Sequence, residues 1–334
     1  MANPQFTVLG AGSWGTALAA LLARNGHATT LWGRDIQQMQ AMQVTQENSK
    51  YLPGLPLPPT LHYTHDLTHA IAQADAIVLA VPSHTFRDYI QKLNPWLSGE
   101  RAIIWACKGL EKGTAKLLHE IALEELPSLH RVAVISGPTF AKEVLQGLPS
   151  AATIAAEEAD FASLAASWFQ GESFRTYANT DIIGVEIGGA LKNVLAIAAG
   201  IADGLGFGAN TRAALITRGL AELMRLGEQL GGQRETLMGL SGLGDLVLTC
   251  TDNLSRNRRF GLALARGLNT EQAIQEIGQA VEGIYTTAEA YRLSDQKAVD
   301  MPIVNEVYDV LYQGKAPLAA VHSLLARAPV MEAP

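Results

Sequence analysis

The fold is decided by the N-terminal stretch FTVLGAGSWG, residues 6–15. Strand-forming apolar residues lead into the pattern Gly-x-Gly-x-x-Gly, and residues 16–24 favour a helix. In such a turn Gly10 allows the sharp reversal, Gly12 lets the backbone approach a pyrophosphate, and Gly15 lets the helix pack against the strand. The helix start adds free N–H groups and a positive dipole end. The pattern predicts half of a dinucleotide-binding βαβ unit, although three small residues also fit an ordinary strand–helix turn.

The first half of the chain alternates between strand-like and helix-like segments. Apolar runs typical of strands are found at residues 28–32, 76–81, 102–107 and 131–135, with weaker candidates at 152–155 and 174–177. This alternation indicates an α/β fold built on a parallel, doubly wound, Rossmann-like sheet. Ligands of such sheets bind beyond the carboxyl ends of the strands, which is where we expect the functional residues.

The second half of the chain has a different character. Strand-like runs disappear near residue 180, and long helical patterns follow, beginning with residues 181–199 and 211–230. We therefore expect a dinucleotide-binding domain at residues 1–180 and an all-helical, substrate-binding domain at residues 181–334, whose last residues fray.

Composition excludes several classes of protein. Of 334 residues, 48% are hydrophobic and 17% are charged, which suits a buried core rather than disorder. The net charge of −7 argues against nucleic-acid partners and against anionic membrane surfaces. The two cysteines provide no disulfide framework or zinc site. No apolar run approaches the length of a membrane span and no signal peptide is visible, so we expect a cytoplasmic protein without membrane insertion and without a metal.

The end of the second strand bears on the choice of cofactor. An acidic residue there would bind the ribose 2′-hydroxyl of NAD, whereas an arginine accommodates the 2′-phosphate of NADP. Gly33 occupies the position expected for the acid, and Arg34 follows it. This favours NADP(H), while Asp35 keeps NAD(H) possible. Arg34 could also be a solvated loop charge.

Two lysines are candidates for chemistry. Lys108 follows a strand on the predicted ligand edge, although a lysine there is often only a solvated loop residue. Lys192 lies within an apolar helix with Gly188 and Gly189 on its face. Each helical glycine costs about 0.5–1 kcal/mol relative to alanine, so a close approach is expected there. Burial would lower the pKa of Lys192 and suit it to proton transfer, unless its side chain reaches the surface.

Two further stretches could complete a site. Asp245 follows a glycine-rich connector at residues 239–244 and could stabilise a protonated lysine or cap a helix. Residues 255–259, Ser-Arg-Asn-Arg-Arg, combine an N-cap with guanidinium and amide groups. Arginine grips phosphate through parallel N–H bonds, so this run predicts a small phosphate site. A solvated charged helix face is the alternative.

Four stretches together resemble bacterial NAD(P)-dependent glycerol-3-phosphate dehydrogenase over nearly the whole chain. They are GAGSWG at 10–15, SGPTFAKE at 136–143, GGALKN at 188–193, and GLGDLVLTC at 242–250, which continues into SRNRRFG at 255–261. One position departs from the family pattern, because Ala280 stands where valine is common.

The resemblance implies reversible reduction of dihydroxyacetone phosphate to sn-glycerol 3-phosphate with NAD(P)H, supplying phospholipid synthesis, in a homodimer. It implies Lys192 as the general acid/base, with Lys108 and Asp245 as catalytic partners. Implied cofactor contacts, beyond the three glycines, are Ser13, Trp14, Arg34, Lys108, Ala141, Arg256, Val281 and Glu282. Implied substrate contacts are Lys108, Gly137, Thr139, Lys192, Asp245, Ser255, Arg256 and Asn257.

Two other functions fit parts of the sequence. A related two-domain hydroxy-acid dehydrogenase would use an arginine to bind a carboxylate substrate instead of a phosphate. A non-catalytic NADP(H) sensor would bind the cofactor without oxidising it. The pair Lys108 and Lys192 argues against the sensor, because sensing requires no proton donor.

Overall fold

A computed structural model describes residues 3–97, 101–127 and 131–328; the end expected to fray, from residue 329 onward, lies outside these ranges. The strands are β1 Phe6–Leu9, β2 Thr29–Trp32, β3 Leu61–Thr64, β4 Ala76–Leu79, β5 Ala102–Trp105, β6 Val132–Ser136, β7 Ser150–Ala155 and β8 Phe174–Asn179. The helices between them are α1 Ser13–Arg24, α2 Ile36–Thr45, α3 Leu67–Ala72, α4 Phe86–Leu93, α5 Leu118–Glu125, α6 Ala141–Gln146 and α7 Ala159–Phe169.

Helices alone make up the second half of the described chain. They are α8 Ile182–Gly204, α9 Ala209–Gln229, α10 Arg234–Leu237, α11 Asp245–Thr251, α12 Arg256–Ala265, α13 Thr270–Ile277, α14 Glu282–Gln296, α15 Pro302–Tyr312 and α16 Pro317–Leu325. One π-helical turn, Leu240–Gly244, precedes α11. The expected combination of a Rossmann-like sheet with a helical domain is therefore confirmed.

The strands form one sheet in the order β3-β2-β1-β4-β5-β6-β7-β8. All residues of β1, β4 and β5 are buried, since helices cover both faces, and this explains their uninterrupted apolar runs. The sequence did not reveal β3, which pairs with β2 at the edge of the sheet. Only Leu61 of its four residues is buried, so β3 has no apolar run to mark it.

The sheet is parallel, as expected, except at one place, where β7 runs antiparallel to β6. Between them lies the six-residue helix α6, which ends at Gly147. That helix extends only about 9 Å, and the chain re-enters the sheet from the carboxyl edge of β6.

The glycine turn after β1 has the three properties expected of it. Gly10 adopts φ +116°, and a Cβ there would lie 2.5 Å from the carbonyl oxygen of Ala80 on the neighbouring connection. A Cβ on Gly15 would overlap the carbonyl of Gly10, so α1 packs directly on the turn. A Cβ on Gly12 would have no heavy atom within 4 Å, which leaves that backbone open to a ligand.

Helix α8 forms the centre of the helical domain. Asp181 caps it by accepting a hydrogen bond from the Gly184 N–H at 2.8 Å, and the helix continues to Gly204 rather than ending near Ala199. Contrary to the expectation from sequence, α8 is long and apolar enough to cross a membrane. However, 94% of its most apolar window is buried within the protein, so it is a core helix.

A buried acid joins α8 to the sheet domain. Glu186 accepts hydrogen bonds from Trp105 Nε1 at 2.8 Å, from the His119 backbone N–H at 3.1 Å, and shares a 2.6 Å contact with His119 Nδ1. Burial alone would lower the pKa of His119, but the hydrogen bond and charge of Glu186 outweigh it and raise that pKa. The contact thus fixes α8 against the end of β5.

We expect His119→Ala to lower the free energy of unfolding by roughly 3 kcal/mol at pH 6, because it leaves a buried carboxylate without its cation. The pKa of His119 is raised in the folded protein, so its stabilisation is complete below the unfolded pKa and declines as pH rises through the folded value. Denaturant unfolding of both proteins at pH 6 and pH 9 measures this. An equal loss at both pH values would mean that the folded imidazole is neutral.

Candidate active site

A cluster of two lysines and one carboxylate lies where the two halves of the chain meet. Lys192 Nζ is 2.5 Å from Asp245 Oδ1, and Lys108 Nζ is 2.7 Å from Asp245 Oδ2. Lys108 Nζ also donates to the carbonyl of Gly137 at 3.1 Å. We call Lys108, Lys192 and Asp245 the lysine–aspartate cluster. The carboxyl end of β5 thus supplies one ammonium group, and the carboxyl end of β6 supplies the carbonyl that accepts its hydrogen bond. Both lie at the edge of the sheet where we expected functional residues.

The buried position of the cluster changes its acid–base chemistry. Lys192 is only 7% exposed, so the alternative in which it reaches the surface is wrong. Burial lowers the pKa of Lys192, Asp245 raises it, and the positive charge of Lys108 lowers it again, giving a value of about 8. A lysine with that pKa exchanges between ammonium and neutral amine near physiological pH, so it can donate a proton in the first form and accept one in the second.

The glycines beside Lys192 permit the close approach that the sequence predicted. A Cβ on Gly188 would lie 2.5 Å from the carbonyl oxygen of Ser241 in the π-helical turn. A Cβ on Gly189 would lie 2.8 Å from Ser136 Oγ at the end of β6. Helix α8 therefore contacts the backbone of the turn before α11 directly, and it contacts the Ser136 side chain at the edge of the sheet.

The alternative reading of Asp245 as a helix cap is wrong. Gly244 is the N-cap of α11, whereas Asp245 is its first residue and directs its carboxylate to both lysines. Thr249 Oγ1 donates to the backbone carbonyl of Asp245 at 2.6 Å and also lies 3.3 Å from Asp245 Oδ1. Asp245 is 1% exposed, so its charge is compensated almost entirely by the two ammonium groups.

The start of α12 is tied to the cluster by amide side chains. Asn257 Nδ2 donates to Asn193 Oδ1 at 2.8 Å, and Asn257 Oδ1 accepts from the Gly283 N–H at 3.0 Å. Asn193 Nδ2 in turn donates to the carbonyl of Lys108 at 3.4 Å. Sequence reasoning assigned Asn193 no role, although an amide beside Lys192 in an apolar helix was a usable signal.

The basic run that predicted a phosphate site divides into two parts. Ser255 is the N-cap of α12, as expected, and its hydroxyl accepts from the Arg258 N–H at 3.2 Å. Arg256 Nη1 donates to the carbonyl of Ala280 at 2.8 Å near the start of α14. Arg258 is 7% exposed, so the alternative of a solvated charged face is wrong for that residue.

The other predicted contacts surround the same carboxyl edge. Thr139 Oγ1 donates to the carbonyl of Gly137 at 3.2 Å, and Ala141 begins α6 just beyond. Val281 is the N-cap of α14 and Glu282 is its first residue. Burial raises the pKa of Glu282, an effect that Arg256 and the two lysines of the cluster partly offset. Glu282 is therefore electrostatically coupled to the lysine–aspartate cluster.

A buried asparagine braces the glycine turn on the nucleotide side. Asn48 Nδ2 donates to the carbonyl of Ala11 at 3.1 Å and to Thr16 Oγ1 at 2.8 Å. Gln38 Nε2 donates to the same carbonyl at 2.8 Å. Asn48 is 1% exposed, yet it lies in a polar connection that gave no sequence signal. These bonds fix the peptide plane that precedes Gly12.

The end of β2 has no room for an acidic side chain in place of glycine. A Cβ on Gly33 would lie 2.7 Å from Met39 Cε and 2.9 Å from Ala11 Cβ. Arg34 is exposed, whereas Asp35 is the N-cap of α2 and accepts from the Gln38 N–H at 3.1 Å. The Asp35 carboxylate, which left NAD(H) possible as the cofactor, therefore already caps α2.

The residues at the glycine turn fit a dinucleotide. Gly12 is open, and the first turn of α1 has neither an acidic residue nor a side-chain cap, so its N–H groups can receive a pyrophosphate. Trp14 Nε1 is buried without a hydrogen-bond partner in the described residues. A Rossmann-like sheet with this turn, joined to a helical domain that supplies a buried lysine, defines a two-domain nicotinamide-dependent dehydrogenase.

Comparison with known proteins assigns the family. Residues 5–162 match the model of the NAD-dependent glycerol-3-phosphate dehydrogenase N-terminus, and residues 181–322 match that of its C-terminus. The chain belongs to this family. It is 55% identical to glycerol-3-phosphate dehydrogenase (NAD(P)+) of Thioalkalivibrio sulfidiphilus over 98% of both chains. The corresponding protein of Nitrosococcus oceani is 56% identical over 97% of this chain and 94% of its own length.

A solved structure supports the same assignment. The crystal structure of glycerol-3-phosphate dehydrogenase from Coxiella burnetii superposes with a TM-score of 0.94 at 46% identity. The superposition covers 97% of this chain and 99% of that one. The similarity therefore extends through both domains, including the helices that carry Lys192 and Asp245.

We expect Asn48→Ala to raise the dissociation constant for NADPH about tenfold, because the Ala11 carbonyl loses a buried donor and the glycine turn loses its fixed orientation. Isothermal titration with NADPH measures the effect. Asn94→Ala is the matched control, since it removes a 3.0 Å bond from a side-chain amide to the carbonyl of Glu125, away from the turn. Equal affinities of Asn48→Ala and the control would contradict the bracing role.

Proposed function

We propose that this enzyme reduces dihydroxyacetone phosphate to sn-glycerol 3-phosphate with NAD(P)H, and catalyses the reverse reaction. The observation that carries the proposal is the 2.5 Å contact of Lys192 Nζ with Asp245, next to Lys108, at the carboxyl edge of a sheet with an open glycine turn. The match of both family models to the chain supports the same reaction. Its product would serve phospholipid synthesis.

The chain's own residues would handle the charge and the proton. When bound, the reduced nicotinamide supplies the hydride. Negative charge then develops on the substrate's carbonyl oxygen, and the Lys192 ammonium stabilises it and delivers a proton. Lys108 adds a second positive charge on the sheet side. Asp245 holds both ammonium groups in one orientation and balances their repulsion.

The substrate's phosphate would bind away from the reacting carbon, at the start of α12. Ser255, Arg256 and Asn257 lie in the first turn of that helix, which adds free N–H groups and a positive dipole end. Holding a remote phosphate fixes the geometry at the carbonyl and contributes to stabilisation of the transition state. Gly137 and Thr139 would complete the substrate site beside Lys108.

The two alternative functions are less well supported. A hydroxy-acid dehydrogenase would use an arginine to bind a carboxylate, but both parts of the chain match the models of glycerol-3-phosphate dehydrogenase, whose substrate carries a phosphate. A non-catalytic sensor has no use for two lysines that share a buried aspartate. Buried ionic groups are costly, so their presence supports catalysis.

We further propose that NADP(H) is preferred, because Arg34 is exposed beside the ribose position while Asp35 caps α2. Ser13, Trp14, Ala141, Val281 and Glu282 would contact the cofactor. We place the boundary between the domains at residue 180, between β8 and α8. The family resemblance supports a cytoplasmic homodimer without membrane insertion.

We expect Lys192→Ala to abolish NADPH oxidation in the presence of dihydroxyacetone phosphate while leaving NADPH affinity within about twofold, because it removes the proton donor and not the nucleotide site. For the wild type, the reduction rate should be constant at lower pH and fall above about pH 8, where Lys192 loses its proton. The loss of NADPH absorbance at varied pH measures the rates, and isothermal titration with NADPH measures the affinity. Lys297→Ala, which removes an exposed lysine of the helical domain, is the control.

Near-normal turnover of Lys192→Ala would remove the lysine from the mechanism. A wild-type protein that binds NADPH but never oxidises it with dihydroxyacetone phosphate would instead be a sensor.

We expect Arg34→Ala to reduce kcat/KM for NADPH at least about tenfold more than for NADH, because only NADPH carries the 2′-phosphate that a guanidinium would bind. Steady-state rates with each cofactor at saturating dihydroxyacetone phosphate measure the ratio. Arg175→Ala, an exposed arginine of the edge strand β8, should leave the ratio unchanged. Equal losses with both cofactors would assign Arg34 no part in cofactor choice.

A further inference from the structure

Helices α8 and α12 cross in direct backbone contact. A Cβ on Gly200 would overlap the carbonyl of Arg258, and a Cβ on Gly261 would overlap the carbonyl of Ile197. One turn further along, a Cβ on Gly204 would lie 2.5 Å from Ala265 Cβ. Small residues at these positions allow the two backbones to approach closely. Apolar side chains of both helices pack in one buried cluster around the crossing, and polar contacts beside it also hold α12 on α8.

A buried ion pair lies beside this crossing. Arg258 Nη2 is 2.6 Å from Asp203 Oδ2, and Arg258 Nη1 donates to Asn253 Oδ1 just before α12. The side chains of Arg258 and Asp203 are only 9% and 10% exposed. Arg258 belongs to the run that predicted a phosphate site, but its guanidinium is directed at the last turn of α8. Burial and these partners make it unavailable to a substrate.

The first turn of α12 is consequently held on α8 at two separated points. At one point Asn257 bonds Asn193, the neighbour of Lys192; at the other, Arg258 bonds Asp203. The two points on α8 are separated by about 15 Å along the helix axis. Two polar contacts at separated points constrain the direction of α12 on α8 more than either contact would alone.

We propose that Arg258 is a positioning residue: its ion pair with Asp203 sets the orientation of the α12 N-terminus and thereby the separation between the phosphate-binding turn and Lys192. The inference rests on the proposed function, since it assumes that Ser255 and Arg256 receive the substrate's phosphate. A displacement of about 1 Å at such a distance can cost about a hundredfold in rate. Arg258 would thus affect catalysis without touching the substrate.

The test compares Arg258→Lys and Asp203→Asn with the wild type. Both variants retain a polar side chain, but Arg258→Lys loses the guanidinium that reaches Asp203 and Asn253 together, and Asp203→Asn loses the negative charge of the ion pair. Arg212→Ala is the matched control, because Arg212 contacts the same Asp203 oxygen at 3.1 Å from α9 and does not touch α12. We expect kcat/KM for dihydroxyacetone phosphate to fall at least about tenfold in the first two, with KM for NADPH within about twofold. The control should match the wild type.

Thermal unfolding separates positioning from mere stability. If Arg258→Lys melts earlier but keeps the wild-type kcat/KM per folded molecule, the proposal is overturned; the same holds if the NADPH and substrate constants deteriorate equally. If the wild type does not turn over dihydroxyacetone phosphate, the proposed function fails instead. The dissociation constant of inorganic phosphate then decides: weaker binding in Arg258→Lys than in Arg212→Ala supports positioning, and equal binding overturns it.

Discussion

The site depends on one carboxylate that is shared by two lysines from different parts of the fold. Asp245 contacts Lys108 on the sheet side and Lys192 on the helical side, at 2.7 and 2.5 Å. Two buried ammonium groups would repel each other, and an unpaired buried carboxylate would be strongly destabilising. The three charges are therefore tolerable only together. Because the three charges require one another, they hold the sheet and the helical domain together at the proposed site of proton transfer.

Helix α8 makes this meeting possible because it combines two kinds of surface. Glycines at Gly188, Gly189 and Gly200 let the π-helical turn, the sheet edge and α12 approach its backbone. On the same helix, Glu186 and Asn193 bind the sheet domain through polar side chains. The glycines reduce the intrinsic helical propensity of α8, and burial on all sides compensates for it. The glycines of α8 thus lower its intrinsic helical propensity but allow close contacts beside Lys192.

Prediction from sequence worked best where a local pattern has a single physical cause. The glycine turn, the all-buried strands and the N-cap Ser255 follow from rules that act within a few residues. Prediction failed where an element or a residue is stabilised by a tertiary contact and not by a local sequence pattern. Strand β3 lacks an apolar run because it lies at the sheet edge. Asn48 carries no periodic signal, since its burial depends on the Ala11 carbonyl that it meets only after folding.

By itself, the sequence determined the dinucleotide turn, the division into a sheet-forming and a helix-forming half, and the presence of a lysine in an apolar helix. These follow from steric and hydrophobic preferences of neighbouring residues. Only the tertiary structure decided that Lys192 is buried and that its partner lies 53 residues away. It also decided that Arg258 faces α8 while Arg256 faces α14. Such pairings depend on how helices cross, which no spacing along the chain specifies.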